Sequence, residues 1–220
     1  MYLAILSQFS YSDAFVRFTG LSCNAVVTTT GTINFYLKKW IVWRPLVALL
    51  ACSVPLCIWA STWKITSKTY FITLGACLLV AGLAMLFQRK STADDNMQIR
   101  NPVWLYPVCA VIGFLSGFTG IGGGVYLSPL LHLVRWGSAK HIAAASSAFI
   151  LINSFAGLVV QLIMQRIEWE IEQLWLVLAV AAGGLIGSRL SSSMLSQKVV
   201  RAITILLIIF ASIRILLRYL

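Results

Sequence analysis

The densest chemistry in this sequence is a run of small residues. Gly113, Gly117, Gly120, Gly122, Gly123 and Gly124 fall close together, interleaved with Ser116 and Thr119 and followed by Ser128 and Pro129. Four glycines within the five positions 120–124 are poor helix formers, so the chain is predicted to break there and to restart near Val125. A restarting helix presents unpaired N–H groups and the positive end of its dipole, and both favour an anion. The Ser116 and Thr119 hydroxyls add neutral donors, which hold an oxyanion less tightly than a buried Arg and so permit release. The predicted binding site is Ser116, Thr119, Gly120, Gly122, Gly123 and Gly124. Gly113 and Gly117, spaced G-x-x-x-G, read instead as a helix-packing pair. A dinucleotide loop is excluded, because no strand of a soluble βαβ unit precedes the glycines.

A second polar set lies in the uncharged run from His141 to Gln165. Ser146 and Asn153 are seven residues apart and share a helix face, with Ser147 and Ser154 beside them. Ser146, Ser147 and Asn153 are therefore candidates for lining a pathway. The related stretch nearer the start offers Ser22, Asn24, Thr30 and Asn34, with Thr28 and Thr29 as its pathway candidates. The competing use of such hydroxyls is bonding to their own helix carbonyls. Arg17, one turn inside its span, reads as a snorkelling or loop residue, with facing an anion pathway as the alternative. His132 and His141 flank a short loop and read as interfacial. Gly183, Gly184 and Gly187 read as packing glycines. Cys23, Cys52, Cys57, Cys77 and Cys109 form no C-x-x-C pair, and no two carboxylates pair inside a span. No catalytic residue, metal or cofactor is expected.

These residues must be carried by membrane helices. The chain has 220 residues, 60% of them hydrophobic and only 10% charged, with a mean hydropathy of +0.89. A soluble domain is about 25% charged, so a soluble enzyme is excluded. Charges mark off the spans: 20 uncharged residues between Arg17 and Lys38, 19 between Arg44 and Lys64, and 20 between Lys68 and Arg89. Each matches the roughly 20 residues that cross a bilayer. From Arg100 the next uncharged run extends 34 residues to Val134. A straight helix of that length would measure roughly 51 Å, too long for one crossing, so the glycines must break it or turn it back. Runs of 25, 16 and 12 residues follow, at His141–Gln165, Gln173–Ser188 and Ala202–Ile213. The expected fold is all-α: a polytopic transmembrane bundle of about seven segments, one glycine-broken or re-entrant. The net charge of +11 sits at span ends, where lipid headgroups and not nucleic acid are the partner. Trp40, Trp43, Trp63, Trp104, Trp136, Trp169 and Trp175 fit an interfacial belt.

The segments also repeat. At an offset of 126, Ile41-Val42-Trp43 falls on Ile167-Glu168-Trp169 and Gly31 on Gly157; four residues more place Lys68 on Lys198. The domain reading is a first repeat over residues 1–88, a polar linker over 89–100 and a second repeat over 101–220. Projected backwards, the counterpart of Val103–Tyr126 lies upstream of Met1. The first repeat is thus expected to lack its opening glycine segment, through a late start or as a shortened variant. Two-fold repetition of hydrophobic segments is a hallmark of secondary transporters, whose substrates sit near mid-membrane at the repeat interface.

The pattern G-x-x-x-G-x-x-G-I-G-G-G-x-x-x-x-P from Gly113 to Pro129, followed by Ala145-Ser146-Ser147 and the I-x-W turn, resembles the TauE/SafE family. That resemblance implies a multi-pass permease of the bacterial plasma membrane that moves small anions such as sulfite or organosulfonates. It also implies two similar halves, each opening with a glycine-rich motif. Partners would be the lipid bilayer and a small anion, with homo-oligomerisation left open. Two alternatives stand beside it: an intramembrane serine hydrolase using Ser116 with His132 or His141, and a truncated membrane protein that transports nothing.

Overall fold

The computed structural model describes residues 13–63, 66–87, 102–164, 171–193 and 197–219. Residues 1–12, the linker over 89–100, and Glu168 and Trp169 lie outside the described residues. The described residues form eight helices and no strand. In chain order they are α1 (Asp13–Leu37), α2 (Trp43–Thr62), α3 (Ser67–Phe87), α4 (Leu105–Thr119), α5 (Gly124–Leu133), α6 (Ala139–Ile163), α7 (Ile171–Ser193) and α8 (Gln197–Tyr219). The protein is an all-α polytopic bundle. The 34-residue run contributes two of these helices, α4 and α5, broken at the glycines. Trp43–Thr62, Ser67–Leu86, Ala139–Ile163 and Ala202–Tyr219 are long and apolar enough to cross a bilayer by length and composition. Large apolar side chains such as Val111, Leu133, Phe155, Val159 and Leu162 face outward, as lipid contact favours and water does not.

Two buried clusters hold the helices together. Leu46, Leu49, Leu105, Ile112, Leu127, Trp136, Ala148 and Phe149 belong to one. Phe15, Tyr70, Phe71, Leu74, Ile121 and Ile208 belong to the other. Ile121 lies in the second cluster and Leu127 in the first, so the break occurs where the two cores meet. Trp136 is 1% exposed and is a core residue, not part of an interfacial belt: the left-handed turn at Arg135 folds it back, with its N–H donating to the Leu131 carbonyl.

Helices α2 and α4 pack side by side through glycine. A Cβ on Gly113 would collide with the Ser53 carbonyl, and one on Gly117 with the Cys57 carbonyl. Both partners step by four residues, so the two helices run in the same direction with their backbones in contact, the packing that G-x-x-x-G predicts. Gly113→Leu is expected to destabilise the protein by at least the 1–3 kcal/mol typical of overpacking. Thermal unfolding in detergent checks this, and an unchanged midpoint would refute the contact. The Gly183 reading is corrected: space around it is open, although Gly184 does approach Val27.

Helices α1 and α6 pack antiparallel. Bare backbone at Gly31, late in α1, meets Ser147 early in α6, and Gly157, late in α6, meets Leu21 early in α1. Gly31 and Gly157 are 126 residues apart, as are Leu21 and Ser147, so the two contacts are reciprocal. Helices α3 and α8 are antiparallel as well, Gly75 against Leu216 and Gly82 against Ile209.

Candidate functional site: the glycine break

Helix α4 ends at Gly120, which adopts a left-handed conformation at φ 72° and donates its N–H to the Ser116 carbonyl. Gly122 and Gly123 are also left-handed, at φ 80° and 75°. Three left-handed residues within four positions explain why the sequence needs glycine here. Gly123 then accepts the N–H groups of Tyr126 and Leu127, which begins α5.

A break at this depth frees backbone groups that only protein or enclosed water can satisfy. On the carbonyl side the protein does so. Arg17 Nη2 donates to the Gly117 carbonyl at 2.8 Å, and Ser61 Oγ donates to the same oxygen at 3.2 Å. Tyr70 Oη donates to the Thr119 carbonyl at 3.0 Å. Asn24 Nδ2 donates to the Ile121 carbonyl at 2.8 Å. Arg17 is 3% exposed, with its guanidinium 5.7 Å from the Tyr70 ring centroid. The snorkelling assignment is thus corrected: the side chain turns inward, because the negative end of α4 offers a carbonyl and a favourable field.

The N–H side is lined differently. The first N–H groups of α5 have no intrahelical acceptor, and three serines surround the glycines there. Ser154 Oγ is 2.7 Å from the point a Gly122 Cβ would occupy, the Ser116 Cβ is 3.2 Å from that of Gly123, and the Ser146 carbonyl is 3.3 Å from that of Gly124. Ser116 and Ser154 are fully buried and Ser146 is 6% exposed. The Ser146 and Ser154 hydroxyls lack a hydrogen-bond partner among the described residues, and the Ser116 hydroxyl stands beside the Cys57 thiol. Each partnerless hydroxyl would ordinarily cost about 1–3 kcal/mol.

The structure thus brings Ser116, Gly120, Gly122, Gly123, Gly124 and Ser146 together, with Ser154 and Asn24 added. Other candidates stand apart. The Thr119 hydroxyl donates to the Leu115 carbonyl, and that of Thr29 to the Ala25 carbonyl. Asn153 accepts from Ser53 Oγ at 3.0 Å and donates to the Phe149 carbonyl, which joins α6 to α2. These three hydrogen-bond backbone or a neighbouring helix. Thr28 and Ser147 line a separate cavity of about 290 Å³ with Thr30, Gly31 and Asn34, between α1, α6 and α7. The Thr28 hydroxyl bonds back to the Asn24 carbonyl, one helical turn nearer the break.

With this geometry in place, the chain can be compared with known proteins. Residues 2–215 match the sulfite exporter TauE/SafE family. The chain belongs to that family. It is 30% identical over 218 residues to the probable membrane transporter protein y4hK of Sinorhizobium fredii, covering 98% of this chain and 88% of that protein. It is 31% identical over 102 residues to the probable membrane transporter protein YunE of Bacillus subtilis, covering 46% of this chain and 37% of that one. No solved structure matches. This TauE/SafE member is a multi-pass membrane transporter. Arg17, Tyr70 and Ser61 were not among its sequence-derived site residues. Their only signal was polarity within an apolar stretch, which does not reveal that all three meet one helix end.

Proposed function

We propose that this protein is a secondary transporter of small oxyanions of the sulfite type in the plasma membrane, and that it binds the anion at the first turn of α5. One observation carries the reading: Ser154 Oγ, buried and without a hydrogen-bond partner among the described residues, lies 2.7 Å from the Cβ point of Gly122 at the start of a helix that begins inside the bundle, and Ser116 and Ser146 border the next two glycines. Donors without acceptors, beside a positive dipole end, match an oxyanion's need for several hydrogen bonds. The asymmetry of the break supports the sign of the ligand. Arg17, Ser61, Tyr70 and Asn24 engage the Gly117, Thr119 and Ile121 carbonyls, which leaves the first-turn N–H groups of α5 for a ligand. The reciprocal antiparallel contacts of α1 with α6 favour two halves related by a two-fold axis in the membrane plane, the arrangement behind alternating access in many transporters. The cavity at Thr28 and Ser147 would be the approach to the break.

A hydrolase reading is disfavoured, since a serine nucleophile needs a base within hydrogen-bond reach. Ser116 Oγ has no such partner, and His141 Nδ1 is 2.8 Å from Ser138 Oγ instead. The test is sulfite flux in proteoliposomes. Replacing Ser146 and Ser154 together by Ala should reduce flux at least tenfold while leaving the unfolding midpoint unchanged or higher, because neither hydroxyl holds a hydrogen bond among the described residues. Full flux in the double variant would refute the site.

A further inference from the structure

This inference rests on the break being the anion site, and it concerns which anions fit there. Ser146, Ile150 and Ser154 are spaced by four residues and share one face of α6. Ile150 therefore stands between the two partnerless hydroxyls. Its Cγ1 and Cδ1 occupy the space that a Cβ on Gly124 would need, and its Cγ2 lies 2.8 Å from the corresponding point on Gly122. One aliphatic side chain thus covers the bare backbone of the first turn of α5. On the other side of Gly122 stands Asn24, whose Nδ2 is 3.2 Å from the same point. Asn24 and Ile150 are 126 residues apart and occupy equivalent positions on the antiparallel helices α1 and α6. The two equivalent positions thus present a hydrogen-bond donor and a steric wall to the same glycine.

We propose that Ile150 is the specificity-determining residue for anion size, admitting an unsubstituted oxyanion and rejecting one that carries an alkyl group. The donors around the turn can ligate the oxygens shared by sulfite and a sulfonate, so they do not separate the two. Ile150 offers no hydrogen bond and fills the space an alkyl substituent would require. Removing three carbons in Ile150→Ala opens that space without touching a donor. A single methylene in an apolar pocket changes selectivity by about tenfold or more, so a loss of three should be easily read.

The experiment measures sulfite and ethanesulfonate uptake into liposomes containing the full chain. The wild type should favour sulfite by about tenfold or more. Ile150→Ala should shift the ratio towards ethanesulfonate by at least that factor, and Ile150→Val, which removes one methyl, should fall between. The Val variant keeps the test open if Ala impairs folding, which gel filtration in detergent reports. An unchanged ratio in a monodisperse variant, or a wild type that carries both ions equally, overturns the role of Ile150. Sulfite flux indifferent to Gly123→Leu would instead overturn the underlying site, and this inference with it.

Discussion

Gly122→Val is expected to abolish sulfite flux while leaving a protein that still inserts into membranes. Gly122 sits at φ 80°, where a β-branched residue is strained by about 1–2 kcal/mol. Its new Cβ would lie 2.7 Å from Ser154 Oγ and 2.8 Å from the Ile150 Cγ2, and such overpacking costs about 1–3 kcal/mol more. The two penalties fall on the same turn, so the local answer is for α5 to start elsewhere or for α6 to move away. Either response shifts Ser154 Oγ, and Ser116 and Ser146 beside it, relative to the first turn of α5. Displacing donors by even 1 Å can cost 100-fold or so in rate where geometry is demanding. Flux should therefore fall to the level of empty liposomes, with the unfolding midpoint lowered by several degrees. A Gly122→Val protein with more than a tenth of wild-type flux would exclude the break as the binding site. Gly183→Val is the fitting control, because nothing lies within 4 Å of a Cβ there.

Much of this architecture is legible in the residues. Charge spacing marks off apolar runs because lone cations are costly in hydrocarbon, and each run corresponds to a helix or, at the glycines, to a pair of them. The break between Thr119 and Gly124 is readable for the same reason: consecutive glycines have few alternatives at membrane depth. What spacing does not encode is the direction in which a polar side chain turns. Ser146 and Asn153 share a face by helical periodicity, yet Ser146 flanks Gly124 whereas Asn153 bonds Ser53 on α2. Seven residues are just under two turns, so the two point in nearly the same direction but stand roughly 10 Å apart along the axis, far enough to meet different neighbours. Thr28 and Thr29 are likewise adjacent but diverge: both hydroxyls return to their own helix, while only Thr28 also borders the cavity beside α7. Trp136 shows the opposite limit, an aromatic residue beside Arg135 that reads as interfacial and is buried by a single left-handed turn.

Arg17 is the other residue whose replacement should have a large effect. Its guanidinium bridges two helices, carrying a positive charge from α1 to the carbonyl end of α4. A hydrogen bond from a charged donor contributes about 1.5–3 kcal/mol, and a cation at a buried helix C-terminus adds up to about 2 kcal/mol. In Arg17→Met the Gly117 carbonyl keeps the 3.2 Å bond from Ser61, and the end of α4 loses its cation. Because Gly120 packs against the Arg17 backbone, with its Cβ point 3.3 Å from the Arg17 carbonyl, the loss is transmitted to the turn that positions Gly122. Sulfite flux should fall between about tenfold and a hundredfold, following a loss of roughly 1.4 kcal/mol per decade. Arg17→Lys separates charge from geometry. An ammonium restores the field at the helix end, but its shorter, single-headed reach does not reproduce the planar fork that bonds Gly117 beside Tyr70. The lysine variant is therefore expected to recover more of the unfolding midpoint than of the flux. Equal recovery of both would mean that charge alone suffices, and a methionine variant with wild-type flux would remove Arg17 from the positioning of the break.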